Sequence, residues 1–177
     1  MTIMNLQNNK KMKTTTIILD HHQINQKIKR IAYQIYEANS SEKEVVIAGI
    51  QGNGIYFAEQ LATSLEKISS LKIILCEVYI DKKNPLNAIT TSIKNSEYKN
   101  KPIVLVDDVL NSGTTLMYGI KYFLDVPLKR FKTAVLVNRN HKKYPVKADF
   151  KGISLSTSIK EHVEVVFDKK NSKAFLM

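Results

Sequence analysis

The chain has 177 residues, a length that corresponds to one domain large enough to bury a core without disulfides. Lys and Arg number 27 against 16 Asp and Glu, and the net charge of +11 favours anionic partners such as nucleic acid, nucleotides or phosphorylated substrates. The single cysteine, Cys76, excludes an internal disulfide and a cysteine-based zinc site. No apolar run approaches the ~20 residues of a membrane span, and the first residues lack an apolar signal region, so the sequence predicts a cytoplasmic protein without a membrane partner.

The N-terminal segment is predicted to lie outside the folded domain. Residues 1–13 are polar and rich in Asn and Lys, which is typical of disorder. A single domain over residues 14–177 follows. It begins with a short β-branched run at 14–19, which is either a strand or an arm.

The first predicted helix covers residues 21–38. Asp20 is a suitable N-cap, and Gln23 stands three residues later as its capping-box partner. Isoleucines then recur at helical spacing, at positions 24, 28, 31 and 35, and predict one apolar face.

Strands and helices alternate along the rest of the chain. Apolar runs without polar alternation are typical of strands covered on both faces. The chain has such runs at 45–50, 72–80, 103–106 and 133–137. Helical periodicity occurs at 55–68 and 116–124, and shorter strands are predicted near 149–155 and 163–167. The pattern predicts an α/β fold with a parallel sheet flanked by helices on both faces.

Residues 103–115, with the sequence IVLVDDVLNSGTT, combine two kinds of binding group. An apolar strand carries Asp107 and Asp108 to its carboxyl end, where open α/β sheets bind ligands. The small and hydroxyl residues of 111–115 then begin a helix, and N–H groups at a helix start form a phosphate site together with hydroxyls. Because carboxylates repel phosphate, the two acids suit hydroxyl groups or a metal ion instead. A ribose 5-phosphate carries both a phosphate and a diol.

The same segment resembles the 5-phosphoribosyl-1-pyrophosphate (PRPP) motif of type I phosphoribosyltransferases, in which hydrophobic residues precede an acidic pair and a T/S-G-x-T loop. Residues 134–165 are similar to the pyrimidine operon regulatory subfamily, whose members are also uracil phosphoribosyltransferases. The similarity covers about residues 14–167. It implies the Rossmann-like fold of type I phosphoribosyltransferases with a small C-terminal hood.

The resemblance assigns roles by position. The acidic pair, Asp107 and Asp108, is assigned to the ribose hydroxyls and to catalysis. The loop that binds the 5′-phosphate comprises Asn111, Ser112, Gly113, Thr114 and Thr115. The loop that binds pyrophosphate comprises Gln51, Gly52, Asn53 and Gly54. For this second loop a purely structural turn is the alternative.

Two departures from the family pattern concern pyrophosphate. Asn53 stands where the regulatory proteins usually carry a basic residue, so one positive charge is missing. Residues 81–101, which are predicted to form an irregular and mobile loop, are shorter than the family's flexible loop over the reacting centre. Lys82 and Lys83 either contact pyrophosphate or are solvated loop lysines. The shortening bears on the efficiency of turnover and not on ligand binding.

Other positions concern the base. The resemblance assigns Asn138, Arg139 and His141 to the base or hood region, although Asn138 replaces the Asp that is usual in the regulatory proteins. Asn111 stands where purine-specific relatives carry a carboxylate that helps to deprotonate the purine. The resemblance therefore favours a pyrimidine such as uracil.

The implied activity is transfer of the phosphoribosyl group from PRPP to a nucleobase, with release of pyrophosphate. Mg²⁺ would be held through the ligand, with Asp107 or Asp108 as a further contact. A homodimer or homotetramer is also implied. Two alternatives remain open: a non-enzymatic regulator that senses nucleotides and binds RNA, and a degenerate PRPP-binding fold that serves only as a partner subunit.

The positive charge is concentrated in residues 129–151, which hold eight Lys or Arg and one acidic residue, Asp149. This stretch is either an anion-facing surface, with RNA as the candidate partner, or a solvated lysine-rich face. Its aromatic residues, Phe131, Tyr144 and Phe150, do not have the spacing of an RNA-stacking platform.

Overall fold

A computed structural model describes residues 15–158 and 161–177. The strands in this part of the chain are β1 (Thr16–Leu19), β2 (Glu44–Ile50), β3 (Lys72–Tyr79), β4 (Thr90–Thr91), β5 (Pro102–Leu110), β6 (Arg130–Arg139), β7 (Phe150–Leu155), β8 (Val163–Val166) and β9 (Lys173–Leu176). The helices are α1 (His21–Ala38), α2 (Asn53–Ile68), α3 (Asn95–Tyr98) and α4 (Thr114–Phe123).

The larger sheet has the strand order β4-β3-β2-β5-β6-β7, and every neighbouring pair is parallel except β3 with β4. The predicted parallel sheet is therefore confirmed. After β2 the chain adds β3 on one side, and it later returns to add β5 on the other side of β2. Loops diverge at such a switch point and leave a crevice at the carboxyl edge of the sheet.

Helices cover both faces of this sheet, as predicted. On one face α1 and α2 contribute fully buried side chains such as Ile31 and Phe57 to a core against β2, β5 and β6. On the other face α3 and α4 contribute Tyr98, Leu116 and Phe123 to a second core. The two cores hold the sheet rigid beneath its carboxyl edge.

Helix α1 begins and ends at the predicted residues. The side chain of Asp20 accepts a hydrogen bond from the backbone N–H of Gln23 at 2.8 Å, and the Gln23 side chain accepts one from the N–H of Asp20 at 3.0 Å. The isoleucines of the apolar face are buried. The capping box thus fixes the start of the helix, and burial of its apolar stripe holds it on the sheet.

Strands β1, β9 and β8 form a second, antiparallel sheet, called the hood sheet below. The predicted hood is present, but it is only partly C-terminal, because the N-terminal strand β1 pairs with β9 from Thr16↔Leu176 onward. This pairing also decides in favour of a strand for the run at 14–19. A contact across the whole chain cannot be read from a local pattern.

Two local predictions were wrong. The strand predicted at 103–106 continues to Leu110, because Val109 and Leu110 keep pairing with β6. The segment 81–101 was predicted to be irregular, yet it contains β4 and α3, and Tyr98 within it is fully buried. Residues 1–13, predicted to be disordered, lie outside the described residues. In the described part of the chain, none of the helices has both the length and the apolar character that a bilayer span requires.

Candidate active site

The acidic pair lies near the carboxyl end of β5. Asp107 is only 4% exposed, and its Oδ1 accepts hydrogen bonds from the backbone N–H of Asp108 at 3.0 Å and from Lys82 Nζ at 3.3 Å. Burial raises the pKa of Asp107 to about 7, while the positive charge of Lys82 works in the opposite direction. Asp107 therefore changes charge in the neutral pH range, and Lys82 favours its ionised form.

The loop after β5 is shaped by its glycine. Gly113 has a φ of 82°, and a Cβ atom there would lie 2.4 Å from Cγ1 of Val146. Both the left-handed conformation and the close contact require glycine. The carbonyl of Ser112 accepts hydrogen bonds from the backbone N–H groups of Lys143 at 2.8 Å and Tyr144 at 3.2 Å. The loop between β6 and β7 thus fixes the backbone of this loop.

Hydroxyl and N–H groups converge at the start of α4. The hydroxyls of Ser112 and Thr114 lie 2.9 Å apart, and Thr115 lines the same small recess. Because α4 begins at Thr114, its first N–H groups have no acceptor within the helix. Uncharged donors at a helix start are suited to an anion such as phosphate.

The loop after β2 approaches β5 closely. A Cβ atom on Gly54 would lie 3.0 Å from the carbonyl oxygen of Val106, so the start of α2 rests directly on the strand that carries the acidic pair. The Asn53 amide nitrogen donates to Asp108 Oδ2 at 2.9 Å and to the Val165 carbonyl at 2.8 Å. Both amide hydrogens are therefore used inside the protein. The side chain of Asn53 points to Asp108 and to strand β8, and the pyrophosphate contact of this residue stays a prediction.

Lys82 and Lys83 follow β3, the strand beside β2. Asp81 organises their turn, since its carboxylate accepts hydrogen bonds from the N–H groups of Lys83 at 2.9 Å and Asn84 at 3.1 Å and from the Asn87 amide at 2.9 Å. These hydrogen bonds, led by those of Asn84 and Lys83, lower the pKa of Asp81. Asp81 was not among the predicted site residues, although the Asn84-Pro85 pair that follows it by three residues is a turn signal.

Two cavities meet at Asp108. One has a volume of about 590 Å³ and is lined by residues of the loops after β2 and β3 together with Asp108: Gln51, Gly52, Asn53, Tyr79, Asp81, Lys82, Lys83, Ala88 and Thr90. The other has a volume of about 370 Å³ and is lined by the acidic pair, the loop after β5 and the hood sheet: Asn53, Lys82, Asp107, Asp108, Val109, Asn111, Ser112, Thr115, His162, Val163, Glu164 and Val165. Asn53, Lys82 and Asp108 line both cavities and form the partition between them.

The residues assigned to the base or hood region lie at the end of β6, outside the hood sheet. Asn138 is buried and donates to the Ser154 hydroxyl at 3.1 Å. Arg139 is 3% exposed, and its guanidinium donates to Asn111 Oδ1 at 2.7 Å and to three oxygens of the segment that leads to β8: Thr157 Oγ1, Ser158 O and Glu161 O. Exposed His141 also bonds to this segment, at the carbonyl of Thr157. Arg139 therefore connects β6, the phosphate loop and the chain entering the hood.

The basic stretch 129–151 divides into two groups. Half of its cations make internal contacts: Lys129 pairs with Glu42, Lys132 pairs with Asp149, Arg130 bonds to the end of α1, and Arg139 is buried. The remaining lysines at 142, 143, 147 and 151 are exposed. Partial burial, followed by the charges of Lys151 and Lys147, lowers the pKa of Lys142. Three like charges thus lie close enough to repel one another.

Comparison with known protein families identifies the family of this chain. The family profile described as "Phosphoribosyl transferase domain" matches residues 14–170. The chain belongs to the phosphoribosyl transferase domain family. The type I resemblance inferred from the sequence is thereby confirmed.

Curated relatives of this chain are named "Bifunctional protein PyrR". The protein of Macrococcus caseolyticus is 31% identical over 164 residues, which cover 89% of this chain and 94% of the relative. The protein of Fusobacterium nucleatum is 34% identical over 170 residues, with coverage of 89% and 93%.

Solved structures support the fold. A hypoxanthine phosphoribosyltransferase of Trypanosoma cruzi superposes with a TM-score of 0.71 at 15% identity, over 84% of each chain. A hypoxanthine-guanine phosphoribosyltransferase of Bacillus anthracis gives 0.64 at 20% identity, over 81% of this chain and 83% of the other. At these identities the likeness concerns the fold alone.

The donor set fits a cation that is held mainly by a ligand. Within residues 15–158 and 161–177, there is no cluster of three or more His, Cys, Asp or Glu side chains arranged to hold a metal. The acidic pair offers two carboxylates to the cavity beside the hood sheet, and Asp108 also lines the other cavity. Mg²⁺ is commonly bound through one or two carboxylates, with the remaining positions taken by water and phosphate oxygens.

Proposed function

We propose that the protein transfers the 5-phosphoribosyl group of PRPP to a nucleobase, with a uracil-like pyrimidine favoured, and releases pyrophosphate. The observation that carries the proposal is the pair of cavities that meet at Asn53, Lys82 and Asp108. PRPP has a phosphate at one end of its ribose and pyrophosphate at the other, so its C1–O bond belongs at this partition. Membership of the phosphoribosyl transferase family supports the same reaction class.

The ribose 5-phosphate part would occupy the cavity beside the hood sheet. The 5′-phosphate would accept hydrogen bonds from N–H groups and hydroxyls of 111–115, and the ribose hydroxyls would donate to Asp107 and Asp108. Hydrogen bonds from a ligand favour ionised carboxylates, so binding would lower the pKa of Asp107 from about 7.

Pyrophosphate would occupy the cavity beside the loops after β2 and β3. Lys82 and Lys83 line it, and they supply the positive charge that Gln51 and Asn53 do not. Charge develops on the departing oxygen as the C1–O bond breaks, and fixed cations and N–H groups near that oxygen lower the barrier. Lys82 lines both cavities, and its Nζ lies 3.3 Å from Asp107 Oδ1.

Mg²⁺ would be held by Asp108, Asp107 and oxygens of PRPP, and it would neutralise negative charge on the pyrophosphate. The protein's own groups hold the ribose and exclude water from the reacting carbon. Catalysis in this proposal rests on positioning and charge, with no covalent nucleophile.

Two features support a pyrimidine. Asn111 stands where purine-specific relatives carry a carboxylate, and its Oδ1 already accepts a hydrogen bond from Arg139 at 2.7 Å. Because an amide is not a base at neutral pH, Asn111 cannot take the proton from a purine. The hood side of the cavity is formed by short strand β8 and offers backbone groups to a small base.

The test is an assay with Mg²⁺, PRPP and a panel of uracil, cytosine, hypoxanthine, guanine and adenine. We expect a nucleoside monophosphate, with uracil as the best acceptor. Changing Asp107→Asn together with Asp108→Asn should reduce turnover by about 100-fold or more, because two charge-assisted contacts are lost. Absence of product with every base, alongside measurable binding of PRPP, would contradict the enzyme and favour a nucleotide-binding regulator.

A second candidate function, RNA binding in gene regulation, is favoured by the cluster of Lys142, Lys147 and Lys151. A bound polyanion reduces the repulsion between neighbouring positive charges, and each phosphate contact releases counterions. Changing all three to Gln should reduce the slope of log affinity against log salt by about 2 for single-stranded RNA. Lys129→Gln with Lys132→Gln is the matched control, since both lysines already have carboxylate partners. Equal slopes in the two variants would contradict an RNA surface at this cluster.

A further inference from the structure

The side chain of Asn53 joins two parts of the site that are far apart in sequence. Its amide nitrogen donates one hydrogen to Asp108, 55 positions away, and the other to the carbonyl of Val165, 112 positions away. Asp108 lies in β5 of the larger, central sheet, and Val165 lies in β8 of the hood sheet. Asn53 itself is the first residue of α2, whose start rests on β5.

Strand β8 depends on such a contact because it is an edge strand. Among the residues that the structure describes, the hood sheet has the order β1-β9-β8, so β8 has a strand partner on one side only. The side chains of Val163 and Val165 in β8 are buried. Phe167, just after the strand, stacks on Tyr56 of α2 with ring centroids 4.9 Å apart. These apolar contacts hold the hood on α2, but they do not define its distance from the carboxylates.

We propose that Asn53 is a positioning residue that sets the distance between strand β8 and Asp108, and thereby the height of the cavity that receives the base. The inference rests on the proposed function for the identity of the ligand. A hydrogen bond with both ends fixed defines a distance, whereas apolar packing tolerates sliding. The ribose can still donate to Asp108, because a carboxylate has about four acceptor sites. The amide therefore stays in place when the sugar binds.

The proposal predicts that loss of the Asn53 amide weakens binding of a nucleotide more than binding of a sugar phosphate. A ligand with a base contacts both the acidic pair and the hood sheet, so it depends on their separation. A sugar phosphate without a base contacts the acidic pair and the loop 111–115 only. Loss of the Asn53 amide should therefore weaken binding of uridine 5′-monophosphate by about ten-fold and binding of ribose 5-phosphate by less than about three-fold.

The experiment measures both affinities by titration calorimetry for the wild type, Asn53→Ala, Asn53→Leu and the control Thr63→Ala, an exposed position on the same helix. Asn53→Leu keeps the number and branching of the side-chain heavy atoms and removes its donors. Equal losses for the two ligands, or wild-type affinities in Asn53→Leu, would overturn the proposal, because the first result indicates an effect on the sugar site alone and the second indicates packing.

A measurement without ligand separates this inference from the proposed function. Amide hydrogen exchange of the free protein should be faster in β8 of Asn53→Ala and Asn53→Leu, with β5 unchanged, because the edge strand loses its link to Asp108. If the wild type binds neither ligand, the proposed function fails, while the exchange result still decides the role of Asn53. Unchanged exchange in β8 of both variants would overturn that role.

Discussion

The loops after β2 and after β5 lie at the same edge of one sheet, and each contains glycine and begins a helix, yet they offer different chemistry. The loop 111–115 presents hydroxyls and N–H groups, and its backbone is fixed by the loop between β6 and β7. The loop 51–54 uses its asparagine amide for internal hydrogen bonds. Cations for its cavity come from Lys82 and Lys83 on the neighbouring loop.

The difference shows how one ligand with two phosphate groups can be bound at one edge of a sheet. An electrically neutral loop suits a phosphate that stays bound throughout the reaction. A pyrophosphate that gains negative charge as it leaves is stabilised by cations near the departing oxygen, and here two lysines on a separate loop supply them. In the proposed reaction, the loop 111–115 would therefore retain the sugar phosphate, and the lysines beside the loop 51–54 would stabilise the leaving group.

The largest expected effect comes from breaking the loop 111–115. In Gly113→Ala the new Cβ atom would meet Val146, and the residue would be held at a φ of 82°. Strain and overpacking should lower the free energy of unfolding by about 2–4 kcal/mol. Urea unfolding measures this value, and a titration with ribose 5-phosphate should show loss of binding. An unchanged stability would mean that the loop relaxes without cost.

A smaller loss is expected from the loop after β3. Lys82→Met with Lys83→Met removes both cations from the larger cavity, and the affinity for magnesium pyrophosphate should fall by about 10- to 30-fold. Lys99→Met in the same 81–101 segment is the matched control, because Lys99 does not line this cavity. Ribose 5-phosphate should lose less affinity than magnesium pyrophosphate, because Lys82 lines both cavities whereas Lys83 lines only the pyrophosphate cavity. Equal losses for both ligands would remove the distinction between the two loops.

A pH dependence is expected from Asp107, beside the partition between the cavities. The pKa of Asp107 is raised from 3.8 to about 7 in the folded protein. Between these values the folded protein keeps a proton that the unfolded chain has released, so this residue makes stability fall as pH rises. Wild type should therefore lose roughly 1 kcal/mol relative to Asp107→Asn between pH 5 and pH 6. Urea unfolding at both pH values tests the sign, and a relative gain by the wild type would contradict it.

The smallest expected effect is an increase in affinity for pyrophosphate. Gln51→Arg adds a cation to the exposed loop after β2, next to the cavity lined by Lys82 and Lys83. Affinity for pyrophosphate should rise by about two- to three-fold at low salt, and the gain should shrink as salt screens the charge. A salt-independent change would indicate a structural effect rather than an added charge.

Local patterns in the sequence predicted much of the scaffold. The bounds of α1 follow from the capping box of Asp20 and Gln23, and the apolar runs correspond to strands of the central sheet. The segment 103–115 predicted a strand, an acidic pair and a loop that opens a helix, and all three are present. These features depend on residues that are neighbours in the chain.

Features that depend on distant contacts could not be predicted. Strand β1 is defined by its pairing with β9, and the Asn53 amide is engaged by partners 55 and 112 positions away. The basic stretch 129–151 looked uniform in the sequence, yet half of its cations are engaged inside the protein. The roles of individual site residues and the homodimer or homotetramer stay predictions.

The central claim is that two cavities, divided by Asn53, Lys82 and Asp108, separate the sugar from the leaving group. A crystal structure with uridine 5′-monophosphate, pyrophosphate and Mg²⁺ tests it most directly. We predict the 5′-phosphate at Asn111–Thr115, the ribose hydroxyls at Asp107 and Asp108, and pyrophosphate beside Lys82 and Lys83. Pyrophosphate bound at 111–115, or a uracil ring outside the cavity beneath β8, would contradict the account.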